Sequence, residues 1–168
     1  MIHLVGCGSR PTSHLPDFAA SLLDDNWEPY VVPTPVGLRF LDVSRAEEKS
    51  HHAVHWDFVP DGQEELPQAD VVVVAPATFN TITKLAAGTA DTLALAVAAE
   101  AIGARHPVTV VPWANSSLTN HPVYAHSLDT LREWGVHLLP AKQAKPFPWM
   151  ALREHLARIQ QEDGLDSC

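Results

Sequence analysis

Four consecutive valines, Val71–Val74, set between Asp70 and Ala75, leave little choice of fold. A short unbroken apolar run that ends at a turn signal is a strand covered on both faces, as in the interior of a parallel sheet. The turn that follows, Pro76-Ala77-Thr78-Phe79-Asn80-Thr81, is rich in small hydroxyl and amide side chains, and a helical segment begins at once. Open α/β sheets bind ligands beyond the carboxyl ends of their strands, so this turn is the first candidate site.

Other short apolar runs repeat the strand pattern at Ile2–Val5, Tyr30–Val32, Val108–Val111 and Val136–Leu139. Helical patterns separate them. Leu15, Phe18, Ala19, Leu22 and Leu23 share one helical face, with Ser13 as the expected cap and Asp17 in the first turn. Beyond Pro122, Tyr124, Leu128 and Leu131 form a second stripe that Gly135 ends. Trp149, Leu152, Leu156 and Ile159 predict a docking helix within 146–161. This alternation indicates a doubly wound parallel sheet. The His-, Glu- and Pro-rich stretch from Ser44 to Gln68 has weak periodicity and is expected to be a long loop, and 162–168 a frayed tail.

A chain of 168 residues suits one domain, here 1–161. Its formal charge of -9, with scattered Lys and Arg, argues against nucleic-acid and anionic-membrane surfaces and for small-molecule or peptide partners. The N-terminal apolar run is too short for a signal peptide, and Leu93 to Ala104 is interrupted by Glu100 and too short to cross a bilayer. Two cysteines, Cys7 and Cys168, do not make a disulfide framework, so a reducing cytoplasm is expected. Ligand spacing for a metal is absent around the histidines.

The first strand runs into Gly6-Cys7-Gly8-Ser9-Arg10-Pro11, where glycines admit close backbone approach and Ser9 can donate to a phosphate. Pro11 stands where a dinucleotide fingerprint needs its third glycine, which disfavours a nicotinamide cofactor. Thr34, after the second strand, lies in another turn at the same edge, and on its own it reads equally as a helix cap. The fourth strand leads into Pro112-Trp113-Ala114-Asn115-Ser116-Ser117-Leu118.

The spacing P-A-T-x-N-T-I-x-K-x-A-x-G-x-A-D-x-L from Pro76 to Leu93 resembles the flavin-binding signature of the homo-oligomeric flavin-containing cysteine decarboxylases. That family includes phosphopantothenoylcysteine decarboxylase and the enzymes that decarboxylate C-terminal cysteines of ribosomal peptides. The resemblance covers most of residues 1–140. It implies a three-layer α/β/α, Rossmann-like (flavodoxin-like) domain that binds FMN in preference to FAD, assembled as a homotrimer or a multiple of trimers, with cofactor sites at subunit contacts. Aromatic side chains around Phe147 and Trp149 are expected to be exposed and to serve an interface.

Carried over residue by residue, the resemblance implies that Gly8, Ser9 and Arg10 meet the phosphate and that Thr34 touches the flavin. It implies further that Ala77, Thr78, Phe79, Asn80, Thr81 and Trp113 line the cofactor and that Asp91 closes the segment. Asn115 matches the asparagine that holds the carboxylate to be lost. The substrate class implied is a small thiol acid or a peptide ending in cysteine, oxidised and decarboxylated to an enethiol.

Departures from the pattern mark where this chain differs. Phe79 and Thr83 stand where the family has Ala, and Thr92 where it has Asn. Trp113 fills a small position, Ala114 empties a Met position and Leu118 replaces another Met. The family's catalytic His falls at Asp61-Gly62-Gln63-Glu64, which has none, and His55, with His51 and His52 beside it, is the candidate replacement. The Cys- and Gly-rich substrate clamp is replaced after Leu139-Pro140 by Ala141-Lys142-Gln143-Ala144-Lys145. These losses keep open a noncatalytic flavin-binding accessory or regulatory subunit. A flavin prenyltransferase ranks last, because its C-terminal basic and glutamate motif is not recognisable.

Overall fold

The valine run becomes the middle strand of a five-stranded sheet in the computed structural model, which describes residues 1–59, 66–143 and 145–165. The strands are β1 (Ile2–Val5), β2 (Pro29–Val31), β3 (Val71–Ala77), β4 (Val108–Pro112) and β5 (His137–Leu138). All pair in parallel in the order β2-β1-β3-β4-β5. Every residue of β1 and β3 is buried, as expected for strands covered on both faces. Leaving β1, the chain crosses to one side to form β2 and then to the other to form β3, so the order reverses between β1 and β3. A crevice opens beyond the carboxyl ends of strands at such a switch point.

Alternate strand residues feed two cores. Ile2, Leu4, Val31, Val71, Val73 and Val111 face α1 (Leu15–Leu23), α2 (Val43–Ser50) and α7 (Trp149–Leu165). Val5, Cys7, Val72, Val74, Val108 and Val110 face α3 (Phe79–Ala86), α4 (Leu93–Ala104) and α6 (Pro122–Glu133). A four-residue helix, α5 (Ser116–Thr119), bridges β4 and α6. The result is a three-layer α/β/α arrangement of flavodoxin-like strand order.

Four expectations need correction. Ser13 does not cap α1: a 3-10 turn over Arg10–His14 runs straight into the helix, and Ser13 Oγ donates back to the Arg10 carbonyl at 2.9 Å. The stretch 44–68 is not all loop, because α2 occupies its start. Asp42 caps α2 by accepting from the Arg45 N–H at 3.1 Å, and His51 ends it at φ 64°. Only Ala46 and Ser50 of α2 are buried, so it shows no apolar stripe. Phe147 and Trp149 are half-buried: Trp149 packs on Phe18 at 4.8 Å and Phe147 on Trp113 at 5.2 Å between ring centres. Finally, α7 begins at Trp149 and continues past Gln161 to Leu165, while 166–168 lie outside the described residues.

Polar groups fix where α7 docks. Arg153 donates two hydrogen bonds to the Asp25 carboxylate, at 2.6 and 2.8 Å, which holds that carboxyl below its usual range. On its other side, His155 Nε2 lies 3.0 Å from Thr109 Oγ1 of β4, and its ring stacks on His137 of β5 at 3.9 Å. Burial, then His137 and Arg158, lower the His155 imidazole from 6.5 to about 4.

Between those two values the unfolded chain binds a proton that the folded chain refuses. Stability is therefore whole above 6.5 and declines as pH falls toward 4. In urea unfolding at about pH 7.5 and about pH 5, His155→Gln should lose less of its midpoint than the wild type. Some loss persists because buried His3 is also lowered to about 4, chiefly by desolvation. Equal losses in both proteins would exclude His155 as a source of the pH dependence.

Candidate functional site

The turns after β1, β2, β3 and β4 meet at the carboxyl edge of the sheet. The first two are in backbone contact. Thr34 N–H donates to the Gly6 carbonyl at 2.9 Å, and Thr34 Oγ1 accepts from Gly37 N–H at 2.9 Å. A Cβ on Gly8 would lie 2.5 Å from Val36 Cγ1, and one on Gly37 would lie 2.1 Å from the Gly6 oxygen. Both glycines are thus required by close approach. The Thr34 hydroxyl accepts from the turn and keeps its own proton to donate.

Ser9 follows in extended backbone, ahead of the 3-10 turn. Its Oγ is buried and has no hydrogen-bond partner among the described residues. A buried hydroxyl without a partner is rare because it forfeits hydration, and it points to a group absent from the chain itself. Arg10 is exposed beside it and enters no ion pair among the described residues.

The turn after β3 contains a cis peptide bond at Ala75–Pro76 and leads through buried Ala77 into α3. Thr78 is the N-cap residue, with extended backbone and no side-chain cap bond, and its Oγ1 lies 3.2 Å from Thr81 Oγ1. Beneath them the Cys7 thiol is buried beside Thr78 and Thr81, and burial pushes its pKa up, so it stays protonated. This polar triangle ties the first turn to the third. Asn80 is exposed at the start of α3. Phe79 turns toward α6, stacking on Tyr124 at 6.1 Å and meeting His121 edge-on at 5.7 Å. Asp91 pairs with Lys84 Nζ at 2.7 Å, which ties the loop between α3 and α4 back to α3.

The fourth turn is joined to the third by a hydrogen bond from Trp113 N–H to the Ala77 carbonyl at 2.8 Å. Trp113 packs on Phe147, so its ring braces the loop before α7. Asn115 is exposed and caps α5: its Oδ1 accepts from Leu118 N–H at 3.0 Å. That bond fixes the amide plane and leaves the NH2 group as two oriented donors.

His55 is elsewhere. Its N–H donates to the Val31 carbonyl at 3.2 Å, and its ring lies 6.5 Å from Tyr30. It lines a separate cavity of about 430 Å³ with His3, Asp57, Glu100 and His106, between α4 and the strand starts. No residue of the turns after β1, β3 and β4 lines that cavity. His52 stacks on Tyr30 at 4.0 Å, and His51 is the helix end described above. Segment 61–64 lies outside the described residues. Sequence reasoning also missed Gly37 and Tyr124, whose roles depend on contacts with distant residues. A glycine in the turn after the second strand was the one signal for Gly37.

Comparison with known proteins gives this edge a context. The family model described as Flavoprotein matches residues 1–163. The coenzyme A biosynthesis bifunctional protein CoaBC of Mycolicibacterium smegmatis is 35% identical over 114 residues, covering 65% of this chain and 27% of that relative. The chain thus matches about a quarter of the length of such curated relatives. Among solved structures, the FMN-dependent cysteine decarboxylase TvaF from thioviridamide biosynthesis superposes with a TM-score of 0.74 at 26% identity, over 90% of this chain and 95% of that one. A PPC decarboxylase mutant complexed with pantothenoylaminoethenethiol gives 0.71 at 26% identity, over 84% and 81%. With the family model spanning nearly its whole length, this chain belongs to the Flavoprotein family.

Proposed function

We propose that the carboxyl-edge turns hold FMN and that the chain decarboxylates a small thiol acid or a peptide ending in cysteine. The observation that carries this reading is the buried Ser9 Oγ, which has no partner among the described residues, in a glycine-walled turn that leads into helical backbone. A phosphate oxygen would satisfy that hydroxyl, and Arg10 beside it would add charge. Thr78 and Asn80 offer hydroxyl and amide groups to the ring, with Thr34 and Trp113 on the flanking turns. Bound there, the flavin would supply the two-electron oxidation of the thiol that makes the neighbouring carboxylate a leaving group.

The chain's own residues do the orienting. Asn115 presents its NH2 donors to the substrate carboxylate, and a neutral donor suits a group that must depart, since a cation would hold the ground state too firmly. Cys7 is fully buried beneath Thr78 and Thr81, where a product cannot reach its thiol, and the clamp that carries the family's proton-donating cysteine is missing, so neither returns a proton to the product. The enethiol is therefore the expected product. The distance of His55 from this edge favours one alternative, a flavin-binding subunit without turnover, and release of carbon dioxide separates the two.

Trimeric assembly is supported by the family and by exposed apolar side chains such as Val36 and Phe58, which are 54% and 56% exposed. No helix among the described residues is long and apolar enough to cross a membrane. A cytoplasmic setting suits the free thiol of Cys7.

The test is the visible absorption spectrum of the purified chain with mass identification of the released cofactor, followed by incubation with cysteine-ended peptides and phosphopantothenoylcysteine. Near-equimolar FMN is expected. Ser9→Ala should weaken FMN binding about tenfold, equivalent to about 1.4 kcal/mol, measured by fluorescence titration of the apoprotein. An apoprotein that takes up no FMN would overturn the reading.

A further inference from the structure

Three of the eleven Lys and Arg residues of this acidic chain line one cavity. It has a volume of about 420 Å³ and lies beyond β4 and β5, walled by Pro112, Tyr124, Leu128, Arg132, Lys142 and Lys145 among others, with no carboxylate residue in its lining among the described residues. The Lys145 N–H donates to the Lys142 carbonyl at 2.9 Å, a turn that holds both lysines at the same cavity wall. Arg132 pairs with Asp129 at 2.6 Å on the exposed face of α6. Lys142 and Lys145 enter no ion pair among the described residues. In a chain of formal charge -9, a local concentration of unpaired cations focuses positive potential into the cavity.

The cavity adjoins the cofactor edge. Tyr124, one of its walls, stacks on Phe79 of the turn after β3, with ring planes 10° apart. Pro112, another wall, ends β4 just before Trp113 and Asn115. A substrate whose carboxylate is held at Asn115 and whose body extends past Pro112 and Tyr124 enters the field of the three cations. The segment that supplies both lysines, Ala141 to Lys145, stands where the clamp motif is missing.

We infer that Arg132, Lys142 and Lys145 form a subsite for an anionic group, a phosphate monoester or a carboxylate, at the end of the substrate remote from the reacting thiol acid. The assignment rests on the decarboxylase reading for its substrate and on the cavity for its charge selection.

The test is titration calorimetry of the flavin-loaded full chain at low salt with two matched pairs. One pair is phosphopantothenoylcysteine and pantothenoylcysteine. The other is a cysteine-ended peptide carrying Glu a few residues earlier and its Gln counterpart. In at least one pair the anionic member should bind about tenfold more tightly, and the pair that responds identifies the anion. The advantage should shrink with added salt and fall below about threefold in the double variant Lys142→Met, Lys145→Met. Equal affinity in both pairs, no binding of any of the four ligands, or an advantage unchanged in the double variant would overturn the subsite. Carbon dioxide release is read in the same samples. Anion-selective binding without release would refute the decarboxylase and leave the subsite standing, whereas release with equal KM within both pairs would do the reverse.

Discussion

Asn115→Ala is expected to lower kcat for carbon dioxide release by about 10²- to 10³-fold while the protein still purifies with its flavin, the range set by losing one oriented transition-state donor. Asn115 is exposed, its Oδ1 is engaged by Leu118 N–H at 3.0 Å, and its NH2 group therefore has a fixed direction. The same bond caps the four-residue helix α5, so an alanine also removes about 1 kcal/mol of local stability. Asn115→Asp separates the two effects. Aspartate still accepts from Leu118 N–H, but it sets a carboxylate against the substrate carboxylate. It should be as inactive as alanine with an unchanged urea midpoint. Both variants retaining activity within about threefold of the wild type would remove Asn115 from the chemistry, because no oriented donor is lost so cheaply.

What sequence could reveal follows from which interactions are local. β1, β3 and β4 were legible because a strand buried on both faces is predominantly apolar, with buried His3 in β1 and buried Thr109 in β4 the polar exceptions. β5 pairs only over His137–Leu138, although Val136 and Leu139 are buried, because the end strand has a neighbour on one side alone. The turn after β3 was legible because all of its residues are consecutive, and alternation of strands and helices places the turns after β1, β2 and β4 at the same edge. α2 escaped because its fold rests on a cap at Asp42 and two small buried residues, with no stripe to read. His55 escaped for a different reason. Proximity in sequence to the family's His position carries no direction, and its backbone bond to Val31 fixes it beside β2. Phe147 and Trp149 were expected at the surface, yet Phe18 and Trp113 provide partners that lie far off in the chain.

Gly37→Ala is the second large effect, and it arises from another contact invisible in sequence. The added methyl would stand 2.1 Å from the Gly6 oxygen and 3.0 Å from its carbonyl carbon, both backbone atoms that no rotamer change can move. The turns after β1 and β2 must separate to admit it, which breaks the hydrogen bonds Thr34 N–H to Gly6 O and Gly37 N–H to Thr34 Oγ1. A loss of about 3 kcal/mol or more in urea unfolding is expected, at the upper end for overpacking, together with loss of bound flavin, because Ser9 is carried on the displaced turn. Gly103→Ala is the control. Nothing lies within 4 Å of its added Cβ and the residue is inside α4, so helix propensity alone should leave stability unchanged or raise it by up to about 1 kcal/mol. If Gly37→Ala unfolds at the wild-type midpoint, the two turns are not in the contact that shapes the proposed phosphate end of the site. If the midpoint falls while flavin is retained in full, the contact holds the fold but does not position Ser9.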